Sequence, residues 1–317
     1  MPEGLLRILL FGDTVAIHLA LALVLGCMAS DLWLSPSASA WGDGMARRAG
    51  RIRRLGFLLG VVAILGLWWL QATSMGEVAD LAVGAAAWTL LKDTHLGHAA
   101  VSGFVGWSLA AVAVWPADRV GAQTRHWFRR LAASAGLALF VWSRSVVSHA
   151  GSQGDWSRYV LVDWVHLVLV SLWVGIVLVA AATKLPAAVS RKADGIAAAQ
   201  WIASLSTTAT VALVGIVLTG AFKTWVSVPA VVGLWASDYG VLLSIKLGLV
   251  LVAVALGGYN RFWVLPFLFL DLKSAQGHAA GRWRRHLVWA FRLEAAVLVL
   301  VLITAAVLSG TESPSMG

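Results

Sequence analysis

The chain has 317 residues, of which 60% are hydrophobic and only 12% carry a charged side chain. This composition excludes a soluble globular protein and predicts an all-α integral membrane protein in a lipid bilayer. The formal net charge of +9 does not indicate a nucleic-acid partner, because the Lys and Arg residues cluster in short segments between apolar runs. At such positions they orient membrane helices.

Eight apolar segments are each about long enough to cross a bilayer, for which about 20 residues are needed. A shorter apolar stretch, Val78 to Leu91, lies between the second and third segments and is bounded by Glu77 and Lys92. Its length predicts an interfacial helix rather than a ninth span. The predicted transmembrane helices lie near residues 12–34, 55–74, 98–115, 130–147, 160–182, 201–222, 240–258 and 287–309.

The basic residues alternate between the two sides of these eight spans. The positive-inside rule places the basic loops in the cytoplasm and therefore both termini outside. The opposite loops and spans hold few basic residues, namely Arg7, Lys92, Arg144, Arg158 and Lys223. The residues in the basic loops are Arg47, Arg48, Arg51, Arg53 and Arg54, then Arg119, Arg125, Arg129 and Arg130, then Lys184, Arg191 and Lys192, then Arg261, Lys273, Arg282, Arg284 and Arg285.

The two halves of the chain resemble each other. The segment Asp13 to Gly26 (DTVAIHLALALVLG) is similar to Asp163 to Gly175 (DWVHLVLVSLWVG). We therefore predict a tandem four-plus-four helix repeat with domains at 1–150 and 151–317. An even number of spans per repeat gives both halves the same orientation and places equivalent residues at equal depth.

One histidine lies near the outer end of the first span and another near that of the fifth. His18 and His166 are each about six residues inside, or roughly 9 Å deep at 1.5 Å per residue. Asp163 precedes His166 by three residues, so its carboxylate shares the helix face and can orient the imidazole or join it as a metal ligand. Asp13 lies five residues before His18 and therefore does not share its helix face. The alternative is that each histidine is buried and bonded to a neighbouring helix.

Three more histidines are predicted at the same membrane face. His95 and His98 have i, i+3 spacing, and His149 lies just beyond the fourth span. Met75 and Glu77 add a soft and a hard donor on that side. Imidazole with thioether suits copper, whereas a carboxylate-rich cluster would suit magnesium or calcium. The alternative is that each of these histidines is a solvated surface residue.

Sulfur ligands are scarce, because Cys27 is the single cysteine. A multi-cysteine metal site is excluded, so a soft-metal site must depend on His and Met. Cys27 and Met28 lie about two turns inward of His18 and could form a relay for monovalent copper. Packing is the alternative role.

Charged residues within the later spans require partners. Lys246 lies roughly six residues into the seventh span, and Asp163 is its candidate counter-ion. Glu294 lies in the cytoplasmic half of the eighth span, and Arg261 lies at the inner end of the seventh. We expect these two residues to form a salt bridge, with a proton or ion exit path as the alternative.

Several segments together resemble the CopD/PcoD family of copper-resistance membrane proteins, and the likeness is best over residues 160–310. The segments are Asp163-Trp164-Val165-His166-Leu167 leading to Trp173-Val174-Gly175, Tyr239-Gly240 leading to Lys246, Asn260-Arg261-Phe262 with Pro266, and Phe291-Arg292-Leu293-Glu294-Ala295. Near the third span the chain departs from the family, since His95-Leu96-Gly97-His98 replaces the more usual aromatic-Gly-Arg pattern.

The resemblance implies copper handling at a bacterial cytoplasmic (inner) membrane, usually inferred to be uptake, with both termini then periplasmic. It also implies a periplasmic CopC-type copper carrier as partner. We interpret the protein as a copper transporter rather than an enzyme. External copper is captured by His149, His95 and His98 and passed to the deeper His18 and His166 near Asp163.

Two other functions remain open. The first is a b-type membrane cytochrome in which His18 and His166 hold a single haem b that exchanges electrons with quinol. The second is an accessory subunit that assembles with a copper enzyme and delivers metal to it. The chain contains no G-x-x-x-x-G-K-[ST] motif, so it does not bind ATP through a P-loop.

Overall fold

The structure is a computed structural model of the chain, and it describes residues 3–34, 39–114, 123–186, 192–227, 237–268 and 280–311. Of the basic residues used for the topology, Arg119, Arg191 and Lys273 lie outside these ranges. The described residues form helices and contain no strand, which confirms the all-α class. The helices are α1 (Glu3–Trp33), α2 (Ala40–Ala79), α3 (Val83–Asp93), α4 (His95–Val114), α5 (Gln123–Val146), α6 (Arg158–Ala181), α7 (Lys192–Ser227), α8 (Asp238–Tyr259) and α9 (Ala280–Ser309).

Two short elements interrupt this pattern. A 3₁₀ turn, His149–Gln153, joins α5 to α6, and a π-helical turn, Asn260–Val264, continues α8 as far as Leu268. The short helix predicted from Val78 is present as α3, but it begins at Val83 because α2 extends to Ala79. With 11 residues, α3 is too short to cross a bilayer.

Seven of the described helices are long and apolar enough to span a membrane: α1, α2, α4, α6, α7, α8 with its continuation, and α9. They coincide with seven of the eight predicted spans. The remaining predicted span is the fourth in chain order, residues 130–147. It coincides with α5, a 24-residue helix that is not among those seven. Arg129, Arg130 and Arg144 lower the hydropathy of α5.

The helices divide into two compact units, and each unit draws on both halves of the sequence. Unit 1 comprises Met1–Ala20, Phe57–Val168 and Thr219–Thr224. Its centre is the fully buried Trp107 of α4, whose ring lies 5.2 Å from that of Phe57 and 4.8 Å from that of Phe140, between centroids. The indole N–H also donates to the Phe57 carbonyl oxygen at 3.1 Å, so this large side chain is buried with its polar atom satisfied.

Unit 2 comprises Leu21–Gly56, Leu169–Leu218 and Trp225–Gly317. Here α1 and α6 cross at Gly26 and Gly175, and a Cβ added to either glycine would overlap the backbone of the other helix. Membrane helices use such small residues to approach closely, because packing drives their association. The buried Trp201 donates from its indole nitrogen to Ser30 Oγ at 2.8 Å and fixes α7 against α1.

Candidate functional site

Two polar contacts in unit 1 link helices α6 and α7. Asp163 and His166 are three residues apart on α6, and Thr219 and Lys223 are four residues apart on α7. Both spacings place the two side chains of a helix on one face. Asp163 Oδ1 forms an ion pair with Lys223 Nζ, and His166 Nδ1 is hydrogen-bonded to Thr219 Oγ1 at 2.8 Å. We call these four residues the polar ladder.

The Asp163 end of the polar ladder also contacts the connection between α5 and α6. Asp163 is only 3% exposed, and its Oδ2 lies 3.3 Å from Ser148 Oγ, whose single hydroxyl hydrogen is shared with the Ser145 carbonyl oxygen at 2.8 Å. Ser148 caps the 3₁₀ turn by accepting from the Ala150 amide at 3.2 Å. The buried carboxylate is therefore held by a cation and a hydroxyl, as a charge removed from water requires.

The His166 end of the polar ladder is less enclosed. The imidazole is half-buried, and a Cβ added to Gly220 would lie 3.6 Å from its Cε1, which is ordinary contact. The Nδ1 hydrogen bond to Thr219 orients the ring, as the outer-shell partners of metal-binding histidines do. His18 is half-buried on α1 in the same unit.

A second pair of oppositely charged residues in unit 1 was not expected from the sequence. Asp13 of α1 interacts electrostatically with Arg144 of α5. Within the described ranges, both Asp13 Oδ2 and Arg144 Nε are buried without a hydrogen-bond partner. Arg144 lines a cavity of about 20 Å³ together with Gln71 and Ser143, which is room for about one water molecule. The sequence feature from which this pair could have been predicted is the presence of ionisable residues within spans.

The outer histidines have separate surroundings. His95 Nε2 lies 3.0 Å from the Asp155 carboxylate, His98 Nε2 lies 3.1 Å from the Lys92 carbonyl oxygen, and His149 is exposed. Within the ranges that the structure describes, no three His, Cys, Asp or Glu side chains form a group that could hold a metal. The expected capture site is therefore not preformed there.

The sulfur atoms lie in apolar surroundings. Cys27 is completely buried in the core of unit 2, and Met28 beside it is half-buried. Met75 packs against the buried Ala72, Ala87 and Leu90 of unit 1. The packing role considered for Cys27 agrees with this placement, and the copper relay through Cys27 and Met28 stays a prediction.

The charged residues of α8 and α9 do not form the expected salt bridge. Arg261 Nη1 donates to the Ser206 carbonyl at 3.1 Å, to Ser206 Oγ at 2.9 Å and to Thr210 Oγ1 at 2.9 Å. Glu294 instead accepts from Asn260 Nδ2 at 3.5 Å. Asn260, rather than Arg261, is therefore the described neighbour on this turn that contacts Glu294.

Lys246 is half-buried on α8. Asp163 forms an ion pair with Lys223, a residue that the sequence indicates only as a charge on the outer side. The pairing of Lys246 with Asp163 stays a prediction.

These features define a multi-pass helical membrane protein with buried ionisable side chains. Residues 199–308 match the family model described as "Copper resistance protein D". The copper resistance protein D of Pseudomonas syringae pv. tomato is 29% identical over 282 residues, which cover 86% of this chain and 88% of that protein. Both matches support the resemblance to the CopD family that the sequence predicts. No solved structure matches.

The matched region contains the α7 half of the polar ladder and also Asn260 and Glu294. Asp163 and His166 precede that region, although they lie in one of the segments on which the resemblance was based. Neither comparison supports a haem protein.

Proposed function

We propose that the protein contributes to copper resistance by transporting copper across the bacterial inner membrane, in the direction of uptake from the periplasm. The observation that carries this proposal is the polar ladder, where an oriented imidazole and a buried carboxylate lie three residues apart on α6. The likeness to copper resistance protein D supports copper as the metal. Copper is the cargo of this site rather than a resident cofactor.

The exposure of the two charged partners supports a gating role for Lys223. The Asp163 side chain is 5% exposed, whereas that of Lys223 is 40% exposed. The ammonium group can therefore move away at small cost, while the carboxylate stays in place. In our proposal an arriving copper ion displaces Lys223, and Asp163 then neutralises the metal charge beside His166. His18 supplies a second imidazole from α1.

The outer histidines are proposed to act before this step. His95, His98 and His149 are exposed, so they are accessible to copper delivered by a periplasmic CopC-type carrier. Because these side chains do not form a ready-made site, we assign them transient contact with the metal. Transport inward needs no ATP, since moving one positive charge into a negative interior gains about 2.3 kcal/mol per 100 mV.

The topology that goes with this function has eight spans, including α5, with both termini periplasmic and the two halves related as a tandem repeat. The crossing of α1 and α6 at Gly26 and Gly175 supports the repeat, because these glycines end the two similar segments. With this orientation the polar ladder lies near the periplasmic face.

Copper accumulation in lipid vesicles tests the proposal. Purified protein is reconstituted, copper is added outside under an inside-negative potential, and trapped copper is measured. Wild-type protein should accumulate copper, and His166→Ala should lose most of this activity. His286→Ala, which removes an exposed histidine of α9, is the matched control and should behave as wild type. Equal accumulation by wild-type and His166→Ala vesicles would contradict the assigned site.

A further inference from the structure

A buried carboxyl group lies in unit 2, apart from the polar ladder. Glu294 of α9 is 3% exposed, and it accepts hydrogen bonds from Asn260 of α8 and from the indole of Trp173 on α6. Both of these hydrogen-bond partners, the Asn260 amide and the Trp173 indole, are neutral groups. Arg292 on the same helix is exposed, and Arg261 beside Asn260 is bound to Ser206 and Thr210 of α7.

The amide that faces Glu294 is incompletely satisfied. Asn260 is 4% exposed, its Nδ2 donates to Glu294 Oε2, and its Oδ1 is buried without a hydrogen-bond partner among the described residues. An ionised carboxylate has no proton to give to this oxygen, whereas a carboxylic acid has one. A protonated Glu294 can pair with the amide reciprocally: the amide N–H donates to one carboxyl oxygen, and the carboxyl O–H donates to Oδ1.

The cost of burying a charge also favours a protonated Glu294. A carboxylate that is removed from water without a cationic partner is costly, and in practice such a group neutralises instead. An ionised side chain within a membrane span therefore usually has a partner or a functional role. The indole N–H of Trp173 is compatible with a neutral acid, since the carboxyl oxygens keep further lone pairs for it.

The backbone of α8 is shaped around this group. The π-helical turn begins at Asn260, whose carbonyl oxygen accepts from the Leu265 amide five residues later. Such turns occur frequently at functional sites. One turn earlier, a Cβ added to Gly257 would lie 3.3 Å from Glu294 Oε1, so glycine leaves room for the carboxyl group.

We propose that Glu294 and Asn260 form a proton-binding site, in which the Glu294 carboxylate takes up one proton and shares it with the Asn260 amide oxygen. Release returns the proton and regenerates the carboxylate, so no other reactant is needed. This site goes beyond the copper proposal and does not rest on it.

Infrared spectroscopy of the full-length protein in lipid tests the proposal. At neutral pH the wild-type spectrum should contain a carboxylic acid C=O band that shifts in D₂O. Glu294→Gln should lose this band, and its amide can still pair with Asn260, which favours folding. Glu77→Gln removes an exposed carboxyl group and should keep the band.

A second variant keeps the proposal testable if Glu294→Gln does not fold. Asn260→Leu removes the acceptor, so the acid band should remain and shift to the frequency of a carboxyl group without that hydrogen bond. A band unchanged in Asn260→Leu would overturn the shared proton. If Glu294→Gln instead loses the signal of an ionised carboxylate, Glu294 is not protonated. If the Glu294 signal responds to sodium, the site binds a metal cation rather than a proton.

Discussion

Lys223 is half-buried, with 40% of its side chain exposed, whereas Asp163 is buried, and the two are joined in an ion pair between α7 and α6. The pair is therefore asymmetric. If the contact breaks, the ammonium group can be hydrated, whereas the buried carboxylate cannot. Among the described residues, removing the cation leaves a buried charge whose remaining contact is the Ser148 hydroxyl. This asymmetry is the basis of the gating role proposed for Lys223.

The first prediction concerns the stability of this pair. Lys223→Met should destabilise the protein by about 2 kcal/mol, because it leaves the Asp163 charge without its cation. The double variant Lys223→Met with Asp163→Asn should recover most of that loss, since no buried charge remains. Thermal unfolding in detergent measures both effects as a double-mutant cycle. Additive losses would show that the two side chains are not coupled.

The second prediction concerns the hydrogen bond that orients His166. Thr219→Val keeps the shape of the side chain but removes the hydroxyl that contacts Nδ1. Copper affinity should fall about 10- to 100-fold, as expected when a metal-binding histidine loses its outer-shell partner. Titration with copper against a competing chelator measures this. Thr304→Val is the matched control, because that hydroxyl bonds to the backbone of its own helix. An unchanged affinity in Thr219→Val would remove the hydroxyl from the copper site.

The helices could be predicted well from the sequence, whereas their contacts could not. Hydropathy located the spans because a bilayer imposes one length on every helix that crosses it. Asp163 and His166 were found by their spacing on one helix. Their partners Thr219 and Lys223 were missed, because periodicity within α6 does not say which helix packs beside it.

Two further differences have the same origin. Arg144 was counted as an outer charge by its position near a span end, yet it is directed into unit 1 toward Asp13. Arg261 and Glu294 were paired because their charges are opposite. The π-helical turn changes the register of α8 locally and brings Asn260 to Glu294.

The third prediction concerns the close crossing of α1 and α6. Gly175→Ala should destabilise the protein by about 1–3 kcal/mol, because the added methyl group overlaps the backbone at Ala22 and Gly26. Gly248→Ala on α8 has open space around it and serves as the control. The midpoint of thermal unfolding should fall for the first variant alone. An equal effect of the two substitutions would show that the crossing is less tight than in the structure.

The fourth prediction separates copper from haem. A reduced-minus-oxidised absorption spectrum of the purified protein should contain no Soret or α-band, because neither comparison supports a cytochrome. Haem bands with stoichiometric iron that disappear in His18→Ala or His166→Ala would establish the cytochrome alternative instead.

Metal analysis of the purified protein tests whether the polar ladder binds copper. Wild-type protein, His166→Ala and His286→Ala are equilibrated with copper in detergent, freed of excess metal and analysed for bound copper. We predict stoichiometric copper in the wild type and in His286→Ala, and loss of that copper in a His166→Ala protein that remains folded. Full copper occupancy in folded His166→Ala would show that His166 does not hold the metal.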